Sequence, residues 1–236
     1  TGGSTVISSV TYDVSKAGTY GTLYAVHLTP DGASFRAEKE EFLAGKPLPL
    51  TDLIINPHDG AMYFAVGGRR TQSALYRVTY TGSASTAPAK LPAPTPAAQL
   101  RRSLEALHAE GTGPAAIDTA WPHLASPDRW IRFAARVAIE KQPAATWANR
   151  ALAELLPQAS IEALIALARV GDKSLQPRLL EALAKIDFAQ QPAALQLPLL
   201  RAWQLAFTRM GKPAPEICAG LAAKFDRVFP HADPLV

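Results

Sequence analysis

The sequence predicts a chain of two parts, strands followed by helices, and three observations lead to that prediction. Val, Thr, Tyr, Gly and Asp dominate up to about residue 85, whereas Ala and Leu dominate after it. The spacing of apolar residues changes there from the alternation typical of strands to the spacing typical of helices. The stretch between the halves is rich in proline, which predicts an extended, semi-rigid linker. We therefore expect a strand domain over 1–83, a linker over 84–96 and a helical domain over 97–236.

A repeated strand motif narrows the fold of the first part. Leu23-Tyr24-Ala25-Val26 recurs as Leu75-Tyr76-Arg77-Val78. A repeat of roughly 40–50 residues built from short strands is typical of β-propeller blades. A propeller needs at least about four blades to close, and this part of the chain has room for only one to two. The prediction is therefore a partial β-propeller, the last one to two blades, whose remaining blades come from another segment or chain.

The strands are placed by apolar runs and by turn signals that contain proline and glycine. Residues 53–55 and 62–66 are continuously apolar, which predicts strands covered on both faces. Residues 75–80 alternate instead, as an outer strand of a blade does, and no clear fourth strand precedes the linker. The predicted strands lie near 5–13, 22–29, 34–43, 51–56, 61–67 and 74–81.

Apolar residues at helical spacing predict about eight helices of two to five turns in the second part. Short helices joined by tight breaks favour an α-solenoid of stacked pairs, with a globular helical bundle as the alternative. Ser126-Pro127-Asp128 is a strong helix start, with a capping residue, a proline in the first turn and an acid near the positive end of the helix dipole. Clear apolar stripes run through Ile117, Ala120, Trp121 and Leu124, and through Ile161, Leu164, Ile165 and Ala168.

The four tryptophans all fall on apolar stripes of the helical part. We expect them to pack in the core between stacked helices, and an aromatic binding surface is the alternative interpretation. They are Trp121, Trp130, Trp147 and Trp203.

Composition excludes several kinds of site. The formal charge of +4 comes from scattered basic residues, so no nucleic-acid partner is expected. A single cysteine, Cys218, leaves no internal disulfide and no Cys-x-x-Cys-His haem motif. No two histidines have metal-site spacing, so no metal is expected within the chain. No apolar run is long enough for a transmembrane segment. The first residue is Thr1, without a signal peptide, which favours a processed or truncated product.

Two stretches resemble known families. Residues 124–140 resemble a HEAT repeat, with Asp128 at the inter-helix turn and Arg132 one turn later. Residues 49–80 resemble the last blade of the bacterial glucose/sorbosone-dehydrogenase-like propellers. Large bacterial proteins combine a quinoprotein-like propeller, HEAT repeats and often a c-type cytochrome in this order. The resemblance therefore implies a HEAT-like solenoid after the partial propeller.

The resemblance also implies a function for the parent protein. It implies a segment of a larger periplasmic or secreted quinoprotein dehydrogenase that oxidises a sugar or an alcohol. The complete propeller would use pyrroloquinoline quinone and calcium, and an electron-acceptor cytochrome would be a partner. Within this chain no cofactor and no independent activity are expected, and the helices act as a binding scaffold. The alternative is a non-enzymatic module that binds protein or polysaccharide.

The candidate site lies in two loops of the predicted blade. In a propeller, residues 46–52 and 67–73 share the face where ligands bind. Gly67-Gly68 would let the backbone approach a ligand closely, and an arginine could pair with a carboxylate of a quinone cofactor or an acidic substrate. The alternative is a solvated loop. The polar groups on this face are Asp52, Arg69, Arg70 and Gln72.

Overall fold

Strands and helices separate along the chain, so the fold is mixed α/β. The computed structural model describes residues 4–10, 21–68, 71–85, 92–109 and 113–228. These residues belong to two units, Thr1–Pro94 and Thr95–Val236. The described strands all lie in the first unit, and the described helices all lie in the second.

The strand unit contains two antiparallel sheets of three strands. The first sheet is formed in chain order by β1 (Ser4–Val10), β2 (Gly21–Asp31) and β3 (Ser34–Gly45). The second is formed in the same way by β4 (Leu50–Ile55), β5 (Met62–Gly68) and β6 (Thr71–Val78). All six predicted strands are present, and in the described residues neither sheet has a fourth strand.

The core of the strand unit lies on one face of the second sheet. Strand β5 alternates, with buried side chains at Met62, Phe64 and Val66. These side chains pack with Leu23, Leu48 and Leu50, so residues from β2 and from the β3–β4 loop close the same core. Apolar burial of this kind contributes about 1.5–3 kcal/mol for each large side chain.

The opposite face of the second sheet corrects one prediction. The apolar run in β4 predicted a strand covered on both faces, but Ile54 on the opposite face is 62% exposed, and even Ile55, which pairs with Met62 on the core face, is 49% exposed. On the same face as Ile54, Leu75 of β6 is 71% exposed. A continuous apolar run shows which side chains avoid water. It does not show that other residues of this chain bury both faces of the strand.

The helical unit contains eight α-helices in the part of the chain that is described. The helices are α1 (Pro96–Ala106), α2 (Pro114–Ala120), α3 (Arg129–Glu140), α4 (Ala148–Ala153), α5 (Pro157–Val170), α6 (Gln176–Ala184), α7 (Ala193–Met210) and α8 (Pro215–Phe225). Helix α5 lies at the centre of the unit, because every residue from Ala159 to Ala168 is buried. Helix α3 packs against α1 and α5, and α5 packs against α7, while α4 and α6 contact each other and their neighbours.

The start of α3 differs by two residues from the prediction. Asp128 is the capping residue, and its Oδ1 accepts hydrogen bonds from the backbone N–H groups of Trp130 at 2.8 Å and Ile131 at 3.3 Å. The Ser126 hydroxyl oxygen instead accepts from the Asp128 N–H at 3.2 Å. Pro127 therefore precedes the helix. A carboxylate caps the helix and also opposes the positive end of its dipole.

Three tryptophans are buried, as predicted, and one is not. Trp121, Trp147 and Trp203 are each at most 5% exposed. Trp130 is 42% exposed, so its assignment to the core was wrong. Both stripes quoted above are buried along their whole length. No helix among the described residues is both long enough and apolar enough to cross a bilayer.

Candidate binding groove on the helical unit

A surface groove with a volume of about 570 Å³ lies between α3 and α7, above α5. We call it the α3–α7 groove. Most of its lining consists of arginine, aromatic and aliphatic side chains, and one glutamate lies at its floor. The lining residues are Arg129, Trp130, Arg132, Phe133, Arg136, Glu162, Ala194, Leu197 and Pro198.

Helix α3 orients the aromatic wall of the groove. Its buried face, which includes Ile131 and Ala135, packs against the neighbouring helices and fixes the rotation of the helix. Residues three apart lie on one side of a helix, so Trp130 and Phe133 project together on the other side. Phe133 is 52% exposed, which leaves two large rings side by side in contact with solvent.

The floor of the groove is an ion pair that is largely shielded from water. Glu162 on α5 has a side chain only 9% exposed, and its Oε2 lies 2.9 Å from Arg136 Nη1. Its Oε1 lies 3.4 Å from Arg132 Nε. Arg132 also donates through Nη1 to the carbonyl oxygens of Ser126 at 2.6 Å and Pro127 at 3.0 Å. The floor is therefore held in place before any ligand arrives.

The ion pair continues along α3 away from the groove. Glu140 Oε1 lies 3.2 Å from Arg136 Nε and 2.9 Å from Arg169 Nε. Three arginines thus surround two glutamates, Glu140 and Glu162. The network as a whole keeps one uncompensated positive charge.

Two guanidinium groups lie over the aromatic rings of the wall. The guanidinium carbon of Arg129 is 4.9 Å from the centroid of the Trp130 ring, and that of Arg136 is 5.3 Å from the Phe133 ring. Cation–π contacts of this geometry hold the charge beside the ring. Arg129 is exposed and, in the described part of the chain, forms no ion pair with a carboxylate.

The opposite wall comes from the first half of α7. Leu197 is 48% exposed and faces the groove. Pro198 lies inside the helix and supplies no N–H, so the carbonyl oxygen of Ala194 lacks its helical donor. Beyond Pro198 the surface continues to Arg201, whose Nη1 donates to Gln204 Oε1 at 2.6 Å.

The site predicted in the strand unit is described only in part. Arg69 and Arg70 lie outside the described residues. Asp52 and Gln72 are both exposed, and Asp52 Oδ1 accepts a hydrogen bond from the adjacent Leu53 N–H at 2.8 Å. Asp52 pairs with Ala65, which pairs with Leu75 on β6. Gln72 lies three residues before Leu75 on β6. Asp52 and Gln72 therefore do not lie in the same row of paired residues across the sheet.

The glycine pair of that predicted site packs against its own chain. The Gly67 N–H donates to the Pro49 carbonyl oxygen at 2.9 Å. A Cβ added at Gly68 would lie 3.3 Å from Pro49 Cβ. Here the glycines allow the end of β5 to approach the β3–β4 loop closely.

The described histidines and acids form no metal site. No group of three or more metal-ligating side chains comes together among the residues that the structure describes. His27 Nε2 lies 2.9 Å from Glu40 Oε2, an exposed contact between β2 and β3. His108 Nε2 lies 2.8 Å from the Ala134 carbonyl oxygen and joins α1 to α3. His231 lies outside the described residues.

Sequence reasoning offered an aromatic binding surface only as the alternative for all four tryptophans, and it did not single out Phe133 or Leu197. The available signal was the composition of α3, which carries apolar residues on two faces and not on one. Ile131 and Ala135 mark the buried face, while Trp130 and Phe133 mark the second face. A helix with two apolar faces needs two partners.

Comparison with known proteins gives no assignment. No family model, curated protein sequence or solved structure matches this chain.

Proposed function

We propose that the helical unit is a scaffold that binds a protein partner in the α3–α7 groove. The observation that carries this proposal is the exposure of Trp130, Phe133 and Leu197 around one concavity. Large apolar side chains that cluster on a surface indicate an interaction site, whereas isolated ones do not. Aromatic residues and arginine are also the residue types enriched in binding hot spots.

The fixed floor of the α3–α7 groove favours a binding site over a surface that only contacts solvent. Glu162 is fixed by two arginines, and Arg132 is fixed further by two backbone carbonyl oxygens. A preformed floor reduces the conformational entropy that binding would otherwise cost. The groove walls can therefore accept a ligand without rearrangement of the helices.

The packing order of the helices supports a HEAT-like solenoid as the form of this scaffold. Helices α1, α3, α5 and α7 pack in that order, and α4 packs against α6. Contacts between alternate helices are expected when helix pairs stack in register. In that arrangement the α3–α7 groove runs across three stacked pairs.

A second proposal concerns the strand unit, which we infer to be part of a larger β-propeller. Ile54 and Leu75 are exposed apolar side chains on the open face of the second sheet. In a propeller, such a face is covered by the next blade. Oxidation of a sugar or alcohol with pyrroloquinoline quinone would then belong to the complete ring, and reduction of a dye by the full-length protein with quinone, calcium and a sugar panel tests it.

Selection from a random peptide library displayed on phage tests the scaffold proposal. The full chain is the bait, and each enriched peptide is then measured against Trp130→Ser and against Leu155→Ser. Leu155 is 89% exposed on another surface of the same unit, which makes it the matched control. We expect peptides that lose binding to Trp130→Ser only. Enriched peptides that bind both variants alike, or no enrichment at all, would contradict the proposal.

A further inference from the structure

We infer that the α3–α7 groove takes an extended, acidic peptide segment with one apolar anchor residue. This inference rests on the proposed scaffold function and assigns the chemical class of its partner. Three independent features of the groove lead to it: its charge, its exposed apolar walls and a carbonyl oxygen left without its helical donor.

The charge around the groove is positive after all ion pairs are counted. Arg132, Arg136 and Arg169 exceed Glu140 and Glu162 by one charge. Arg129 and Arg201 add two more, because Arg129 has no carboxylate partner among the described residues and Arg201 bonds to the neutral Gln204. Asp128 at the start of α3 subtracts one, so the sum stays positive. Electrostatic complementarity therefore favours an acidic partner over a neutral or basic one.

Arginine stacked on an aromatic ring suits a carboxylate ligand in particular. The guanidinium carbon of Arg129 lies 4.9 Å from the centroid of the Trp130 ring, and Arg129 forms no ion pair with a carboxylate among the described residues. A planar guanidinium can donate two parallel hydrogen bonds to one carboxylate. An aspartate or glutamate at the rim would thus meet an oriented donor.

The apolar part of the ligand has a defined place between the walls. Trp130 and Phe133 face Leu197 across the groove, and the volume of about 570 Å³ accommodates one or two side chains together with part of a backbone. Burial of one large apolar side chain contributes about 1.5–3 kcal/mol before the costs of ordering the peptide. The apolar anchor residue supplies most of the binding affinity, and the acidic residues on either side of it fix the orientation of the peptide in the groove.

The backbone of α7 indicates an extended ligand. Pro198 leaves the Ala194 carbonyl oxygen without its helical donor, and both residues line the groove. Ala194 is exposed, so this carbonyl oxygen lies at the surface, where the N–H of an extended peptide can donate to it. An extended peptide has free N–H groups along its length, whereas a helical peptide has used nearly all of them.

Three matched peptide libraries test the inference on the full chain. Each carries one central aliphatic or aromatic residue, with flanks drawn only from Asp and Glu, only from Asn and Gln, or only from Lys and Arg. A poly-dT oligonucleotide is measured in parallel, because arginines and aromatic rings also bind single-stranded nucleic acid. Fluorescence anisotropy reports binding to the parent chain and to Arg129→Glu, with Arg102→Glu on α1 as the charge-matched control.

The outcomes separate the inference from the scaffold proposal. We expect the acidic library to bind about tenfold more tightly than the amide library, Arg129→Glu to lose about five- to tenfold, and Arg102→Glu to lose little. Equal groove-dependent binding of acidic and amide peptides would overturn the inference and leave the scaffold proposal standing. Groove-dependent binding of poly-dT tighter than that of any peptide overturns both proposals. Trp130→Ser distinguishes groove binding from binding elsewhere in every arm, and circular dichroism confirms that each variant is folded.

Discussion

The Trp121 indole Nε1 donates a hydrogen bond of 2.8 Å to Glu154 Oε2, and this bond ties the turn before α5 to the short 3₁₀ helix Trp121–Ala125 that directly follows α2. Glu154 Oε1 also accepts from the backbone N–H groups of Leu155 and Leu156, each at 3.0 Å. One carboxylate therefore satisfies three donors. Burial alone would raise the pKa of Glu154, but these hydrogen bonds, with Arg150 nearby, hold the pKa below its ordinary value of 4.5.

The first prediction concerns the pH dependence that Glu154 confers. Because its folded-state pKa is lowered, the carboxylate stabilises the fold above the unfolded-state pKa, and this stabilisation is lost as pH falls through the lower folded-state value. We expect Glu154→Gln to lower the free energy of unfolding by about 1 kcal/mol at pH 7, a modest figure because the group is partly exposed. The difference between the two proteins should shrink as pH falls through the lowered folded-state pKa of Glu154.

Urea unfolding from pH 7 to pH 3 measures this effect. Glu181→Gln is the control, because Glu181 forms a surface pair with Lys185 in which both side chains are 70% exposed. A constant difference between wild type and Glu154→Gln across the whole range would show that the carboxylate does not titrate as described.

The second prediction concerns the β4–β5 turn, which depends on Asp59. Its carboxylate accepts from the Ala61 N–H at 3.0 Å, from the Tyr63 hydroxyl at 2.9 Å and from Arg77 at 3.3 Å, and these contacts lower its pKa. We expect Asp59→Ala to speed hydrogen exchange at the Ala61 amide and along β5. His58→Ala is the matched control, because the described turn uses only the His58 backbone N–H. Unchanged exchange in Asp59→Ala would show that Gly60, at φ 66°, holds the turn without it.

Sequence reasoning predicted the positions of the strands and helices better than it predicted which residues pack against one another. The six strands follow from proline and glycine turn signals such as Pro57 to Gly60, because these act through local backbone geometry. Burial of Leu164 and Ile165 followed from helical spacing, since a single apolar stripe has one core to face. Trp130 was misplaced because spacing shows that a residue is apolar, and tertiary packing alone decides which of two apolar faces is covered.

The candidate site shows the same limit, because its key contacts join residues that are distant in sequence. Glu162 lies in an apolar stretch of α5, and its role depends on Arg132 and Arg136, which are about thirty residues away in sequence. No feature of the sequence near Glu162 indicates that it pairs with these two arginines. Likewise, proline disfavours a helix interior, but α7 continues through Pro198 from Ala193 to Met210. The packing of α7 on α5 overrides the local preference.

The third prediction contrasts a shielded ion pair with an exposed one. Glu162→Gln removes the charge that Arg132 and Arg136 share, so we expect a loss of about 2 kcal/mol in the free energy of unfolding. Asp118→Asn removes a pair with Arg150 in which the side chains are 79% and 43% exposed, and we expect a change of less than about 0.5 kcal/mol. Chemical unfolding of both variants provides the comparison. Equal effects of the two substitutions would contradict the shielding assigned to Glu162.

The fourth prediction separates stability from binding at Pro198. Pro198→Ala restores an N–H for the Ala194 carbonyl oxygen, so we expect the helical unit to gain about 1–2 kcal/mol in stability. The same change occupies the acceptor that we assign to the ligand, so groove-dependent peptide binding should weaken by about five- to tenfold.

Pro177→Ala is the matched control for this prediction, because Pro177 lies in the first turn of α6, where a missing N–H costs nothing. For Pro177→Ala we expect a small decrease in the free energy of unfolding and unchanged peptide binding. The reason is that loss of a proline mainly increases the conformational entropy of the unfolded chain. Thermal unfolding and fluorescence anisotropy on the same samples give both quantities. If Pro198→Ala became more stable and bound the acidic peptides as tightly as before, the Ala194 carbonyl oxygen would have no part in recognition, and the ligand would be held by the side chains of the groove alone.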